Sequence, residues 1–249
     1  FYYMFQNFLG YKKLAAIFIS VFTFDIGQII TDNNMNFYQI EKVSNLVGNK
    51  KLIILPENRN EDMLDIKNKE LDIIKNLNSK YEIAFDNISP KYQNLINKFN
   101  KKKIYPLEFI KEAKLNYEDY DLINYCYINN IKINTIGFSQ EEFFFMKSNG
   151  ITDKISKKYK LKDFKKYNKK SNIVNSFYFV EDNIILKLKK LLNSNKKIVL
   201  IIDISHFAGY KEKNNFYKQI ENLEYVVVNT NDENIGDLKV INIDKVNEI

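Results

Sequence analysis

The sequence predicts an α/β fold, a mostly parallel sheet flanked by helices with an inserted helical lobe. From Phe37 onward short β-branched runs alternate with longer segments of helical period, the pattern in which helices cover the faces of a parallel sheet. Between the second and third runs lie about 45 residues, more than one crossover needs. Composition agrees: 45% hydrophobic and 14% aromatic side chains supply a core, and 7 Gly and 3 Pro in 249 residues leave little for long flexible linkers. A disordered tail is excluded.

Strands are expected, in order, at Lys51–Leu55 (KLIIL), Tyr81–Phe85 (YEIAF), Lys132–Ile136 (KINTI), Lys197–Asp203 (KIVLIID), Glu224–Asn229 (EYVVVN) and Leu238–Asn242 (LKVIN). After the first strand, Met63–Leu77 sets Met63, Ile66, Leu71, Ile74 and Leu77 near one helical face. The segment from about 87 to 130, with PKYQNLINKF, PLEFIKEAKL and EDYDLINYCYI, is the helical insertion, expected over the carboxyl edge of the sheet. The Lys-rich stretch Gly150–Lys170 reads as an exposed excursion. Asn175–Leu192 repeats the amphipathic pattern with Phe179, Ile184, Leu188 and Leu191. No internal repeat or second composition regime occurs, so residues 37–249 read as one domain.

Residues 1–36 read as a signal or anchor segment and a spacer. Lys12 and Lys13 make a basic start and Leu14–Phe24 an apolar stretch of signal length, too short for a full span, although Asp25 stands where small residues would close a cleavage site. The bland alternative is a buried element of the fold. Export to the cell envelope, periplasmic or membrane-anchored through this segment, is the expectation. The charge is 38 basic against 31 acidic, formally +7. The basic residues are almost all Lys, dispersed among Asn, Ile, Tyr and Phe, without the Arg forks of a phosphate reader, so no nucleic-acid partner is expected. A single cysteine, Cys126 in INYCYI, precludes an intramolecular disulfide and reads as a buried thiol.

In such a sheet ligands bind beyond the carboxyl ends of the strands. Four points follow strand ends: Pro56-Glu57-Asn58-Arg59-Asn60; Asp86-Asn87-Ile88-Ser89-Pro90, with Ser89 as N-cap and Pro90 at N1; Gly137-Phe138-Ser139, where Ser139 and Glu142 fit a capping box; and Ser205-His206-Phe207, with the only histidine. Glu57 also reads as an acid complementing a helix start, Asp86 and Ser89 as turn and cap residues, and His206 equally as a structural histidine, a ligand or a base. What raises the set above these readings is that two acids and the sole histidine fall on one edge.

The order of these motifs resembles the ChaN-like family, haem-associated iron-uptake lipoproteins related to the erythromycin-esterase and TraB/TIKI proteins. LIILPENRN resembles the family's strand and Gly-Glu-x-His-Asp turn, with Glu57 in the glutamate's place and Arg59 where the histidine stands. AFDNISPKYQNLINKF follows the next signature through Asp86, Ile88, Tyr92, Gln93 and Phe99; KLNYEDYDLINYCYINNIKINTIGFS is similar to the helix, strand and turn that come after it. Asp203-Ile204-Ser205-His206-Phe207, with Tyr210 nearby, resembles the Gly-x-Gly-His-Val stretch.

The resemblance implies an exported haem- or iron-binding protein of iron acquisition, its partner haem or another small ligand, with a homodimer as a further expectation. It implies a cleft lined by Glu57, Arg59, Asp86 and Tyr92, with His206 and Tyr210 as iron-side groups, since imidazole and phenolate both ligate haem iron. Arg59 would pair with Glu57 or Asp86, or grip a ligand carboxylate. The replaced first histidine, and the absence of paired histidines from EDMLDIKNKEL, point away from a metal-dependent hydrolase. The alternatives are a hydrolase using Glu57 or His206 as general base, and a degenerate member with a protein-binding role.

Overall fold

The six apolar runs form one six-stranded sheet in the order β3-β2-β4-β1-β5-β6, and every adjacent pair is parallel. The strands are β1 (Leu52–Glu57), β2 (Glu82–Phe85), β3 (Ile133–Thr135), β4 (Ile198–Asp203), β5 (Tyr225–Asn229) and β6 (Val240–Asn242). The computed structural model describes residues 50–59, 63–77, 80–149, 173–207, 216–220, 223–229 and 240–242, together with Val47. The segment expected to direct export, the excursion at Gly150–Lys170 and Tyr210 lie outside the described residues. No helix among the described residues is long and apolar enough to cross a membrane.

Helices among the described residues include α1 (Met63–Lys75), α2 (Gln93–Asn100), α3 (Pro106–Ala113), α4 (Tyr120–Ile128), α5 (Gln140–Asn149), α6 (Ile173–Asn193) and α7 (Phe216–Ile220). Alternate residues of each strand point to opposite faces, so the sheet has two cores. On one face Ile53, Leu55, Ile83, Phe85, Val199 and Ile201 pack with apolar residues of α1 to α4. On the other Leu52, Ile54, Leu200 and Ile202 pack with Phe179, Ile184 and Leu188 of α6 and Phe216 of α7. The helical insertion therefore shares its core with the sheet, Phe99 of α2 stacking at 4.6 Å on Phe109 of α3, and brings the C-terminal turn of α3 to the carboxyl edge. Cys126 is fully buried and free, its thiol pushed up to about 12 by burial.

Strand β1 runs two residues past the sequence expectation, through Pro56 to Glu57. A proline argues against a central strand because it lacks an N–H for the ladder. The β1–β5 ladder ends at Ile54, so Pro56 lies where β1 is paired with β4 alone. The extension sets Glu57 in register with Asp203 at the end of β4.

Candidate functional site

Strands β2, β4 and β1 are neighbours, and each ends in a carboxylate: Asp86, Asp203 and Glu57. Arg59, the only arginine in the chain, lies two residues beyond β1 and reaches all three. Its Nε donates to Glu57 Oε2 at 3.1 Å, its Nη2 donates to Asp86 Oδ1, and its Nη1 lies 3.4 Å from Asp203 Oδ2. A planar fork with five donors suits this three-way contact as a point-charge ammonium would not. Partial burial works against the charge on Arg59, but Asp86, Glu57 and Asp203 outweigh it and hold the guanidinium protonated far above any working pH. Of the roles open to Arg59 in the sequence, the structure shows the pairing with Glu57 and Asp86, and adds Asp203.

Asp86 is the centre of a second set of contacts. Its Oδ2 accepts from the backbone N–H of Asp203 at 2.9 Å and lies 3.6 Å from His206 Nε2. Burial pushes its pKa up, yet Arg59 and His206 outweigh that and hold the carboxyl well below the usual carboxylate range. His206 turns its other nitrogen toward Glu181 Oε1 of α6, 3.8 Å away. Burial disfavours the imidazolium, but Asp86 and Glu181 overcome it and push the ring up to about 9. Both ring nitrogens face carboxylates, an arrangement that favours the protonated ring.

Asp86 is pinned from behind by glycine. A Cβ at Gly137 would stand 1.7 Å from the Asp86 carbonyl oxygen, so the chain leaving β3 lies against Asp86 only because residue 137 has no side chain. The flanking caps are those read from the sequence: Ser89 accepts from the Lys91 N–H at 3.3 Å with Pro90 at N1, and Ser139 and Glu142 exchange capping-box bonds at 3.1 and 3.3 Å.

Beneath Glu57 lies a third cluster that sequence reasoning missed. Lys67 of α1 is buried and pairs with Glu57 Oε1, with Asp119 at 2.8 Å and with Glu70 at 3.3 Å. Burial opposes the ammonium, but three carboxylates around it hold it charged. Burial above all, with Glu57 and Asp119 nearby, pushes the Glu70 carboxyl well above the usual carboxylate range, against the pull of Lys67. The signal was present: Lys67, Glu70 and Ile74 follow the i, i+3, i+7 spacing of an inward face, so two charged residues stood in an apolar stripe. Asp203 closed the apolar run KIVLIID. Glu181 carried the same signal, since Glu181, Ile184 and Leu188 follow that spacing in α6.

Above this ionic floor opens a cavity of about 590 Å³. Glu57, Arg59, Asp86 and His206 converge at its base and Tyr92 stands in its wall, so five of the six residues singled out from the sequence share one cleft. The walls also hold Phe138, Phe143 and Phe144, and Lys91 and Lys114 stand at the lining with Glu141. Among the described residues no group of three or more His, Cys, Asp or Glu is placed to hold a metal ion. The carboxylates that would serve are turned onto Arg59 and Lys67.

No protein-family model and no curated protein matches the sequence. Among solved structures, the fold is similar to ChaN of Campylobacter jejuni, described as showing cofacial heme binding, with a TM-score of 0.52 and 16% identity over 84% of this chain and 90% of that one. RRSP, a MARTX toxin effector domain from Vibrio vulnificus, aligns with a TM-score of 0.43 and 12% identity over 68% of this chain and 30% of that one. The architecture is thus a ChaN-like α/β fold.

Proposed function

We propose that this chain binds haem, or a porphyrin of the same shape, in the cleft above the Arg59 network, as an exported protein of iron acquisition. The observation that carries the reading is the cleft itself: about 590 Å³ of space whose lining joins the Arg59 network to Tyr92, Phe138, Phe143 and Phe144, in a fold similar to a haem-binding protein. A cavity of this size admits a large, flat ligand that carries both apolar and charged groups. Aromatic faces stack on a macrocycle, and a phenolate is an ordinary ligand for its iron. Tyr92 in the wall and Tyr210 are the phenols assigned to the iron; His206, protonated between two carboxylates, holds the floor in place.

The hydrolase reading needs a base free to take a proton from water. Both Glu57 oxygens are engaged by Arg59 and Lys67, and His206 is already protonated.

Haemin titrated into the full chain is expected to give a saturable Soret band. The band should move in Tyr92→Phe or Tyr210→Phe and keep its position in His206→Gln. A titration with no saturation overturns the proposal.

A further inference from the structure

Lys91, Lys114 and Glu141 come from three separate elements and meet at the cleft. Lys91 belongs to the turn after β2, Lys114 follows α3, and Glu141 opens α5. Glu141 Oε1 lies 3.2 Å from Lys114 Nζ and Glu141 Oε2 lies 4.0 Å from Lys91 Nζ, so one carboxylate sits between two ammonium groups. All three side chains are exposed, and Lys91 also lies 4.9 Å above the ring of Tyr92. The contrast with the floor decides what this group can do. Arg59 and Lys67 are already paired with five carboxylates between them. Among the described residues the carboxylate that pairs with these two lysines is a solvated one, and exposed pairs of this kind are weak enough to exchange.

From this arrangement we infer that Lys91 and Lys114 are the subsite for the carboxylate groups of the ligand, with Glu141 holding their place until it binds. The inference rests on the porphyrin reading and specifies it: the cleft takes an amphipathic acid whose flat apolar body enters between the aromatic side chains while its carboxylates remain at the rim. Such a ligand displaces the Glu141 carboxylate and substitutes its own. Removing either lysine therefore weakens binding, and removing the charge of Glu141 strengthens it. Those opposite signs are what a merely surface-stabilising trio would not show.

The test compares protoporphyrin IX with its dimethyl ester, both free of iron, by fluorescence titration of the full chain. The free acid is expected to bind tighter than the ester. Lys91→Gln and Lys114→Gln each reduce that preference by roughly two- to fivefold, the range of an exposed ion pair, and added salt reduces it further. Glu141→Gln increases it. Equal binding of acid and ester, or an unchanged preference in the lysine double variant, overturns the subsite and leaves porphyrin binding standing. Failure of both porphyrins to bind the unaltered chain overturns the porphyrin reading and the subsite with it.

Discussion

Glu57 and Asp203 face each other in register across the β1–β4 ladder, and the Arg59 guanidinium lies between their carboxylates while also reaching Asp86 at the end of β2. Three adjacent strand ends are thereby tied by one side chain. Like carboxylates on neighbouring parallel strands repel, and a single cation shared among them turns that repulsion into a fixed floor.

Arg59→Ala removes the cation that Glu57, Asp86 and Asp203 share, leaving Lys67 on Glu57 and His206 beside Asp86, and is expected to cost about 3 kcal/mol. Arg59→Lys should recover only part of this, since an ammonium cannot satisfy three directions at once. Urea midpoints of the two variants check the order; equal loss in both would show that the fork geometry is unimportant.

In the cluster below, Lys67→Met and Glu70→Gln should differ sharply. Lys67→Met strands Glu57 and Asp119 and is expected to cost about 4 kcal/mol. Burial favours the neutral form of Glu70, so the neutral amide in Glu70→Gln should cost less than about 1 kcal/mol. A large loss in Glu70→Gln would mean that Glu70 is ionised.

Much of the fold was legible because each strand is a short apolar run and each crossover an amphipathic helix, so KLIIL, YEIAF and KIVLIID identified themselves. The edge on which Glu57, Asp86 and His206 meet followed from the parallel sheet. The partners of Arg59 did not, because the order β2-β4-β1 brings together strands distant in sequence, and no local period encodes it. Lys67 and Glu70 were legible in principle from their place in the α1 stripe; Glu181 faces His206 only through the way α6 crosses the sheet.

Gly137→Ala should destabilise the protein by about 3 kcal/mol, as overpacking against rigid backbone does. The added methyl group meets the Asp86 carbonyl, which cannot rotate away as a side chain would. Thermal denaturation measures the loss, and an unchanged midpoint would show that the β3 exit has room to move.

Stability should fall as pH rises from neutral through about 9. His206 is raised from 6.5 to about 9, so the folded state holds a proton that the unfolded state releases. That contribution is complete below about pH 6.5 and is lost as pH passes through 9. The facing groups are Asp86 and Glu181. Lys187, pushed down to about 8 by burial, titrates with the opposite sign, but it does so equally in His206→Gln. The difference between the stability profiles of wild type and His206→Gln isolates the histidine, and a difference that stays constant with pH would contradict the assignment.

The most direct test of the cleft as a haem site is a haemin titration of the full chain beside Ser205→Trp. Ser205 is exposed at the cavity lining next to His206, so an indole there takes space from the cleft. The account predicts saturable binding by wild type and at least about tenfold weaker binding by the variant, the loss expected when a bound ligand is denied well-packed contacts. Identical titrations of both proteins, or no saturation in wild type, would contradict it.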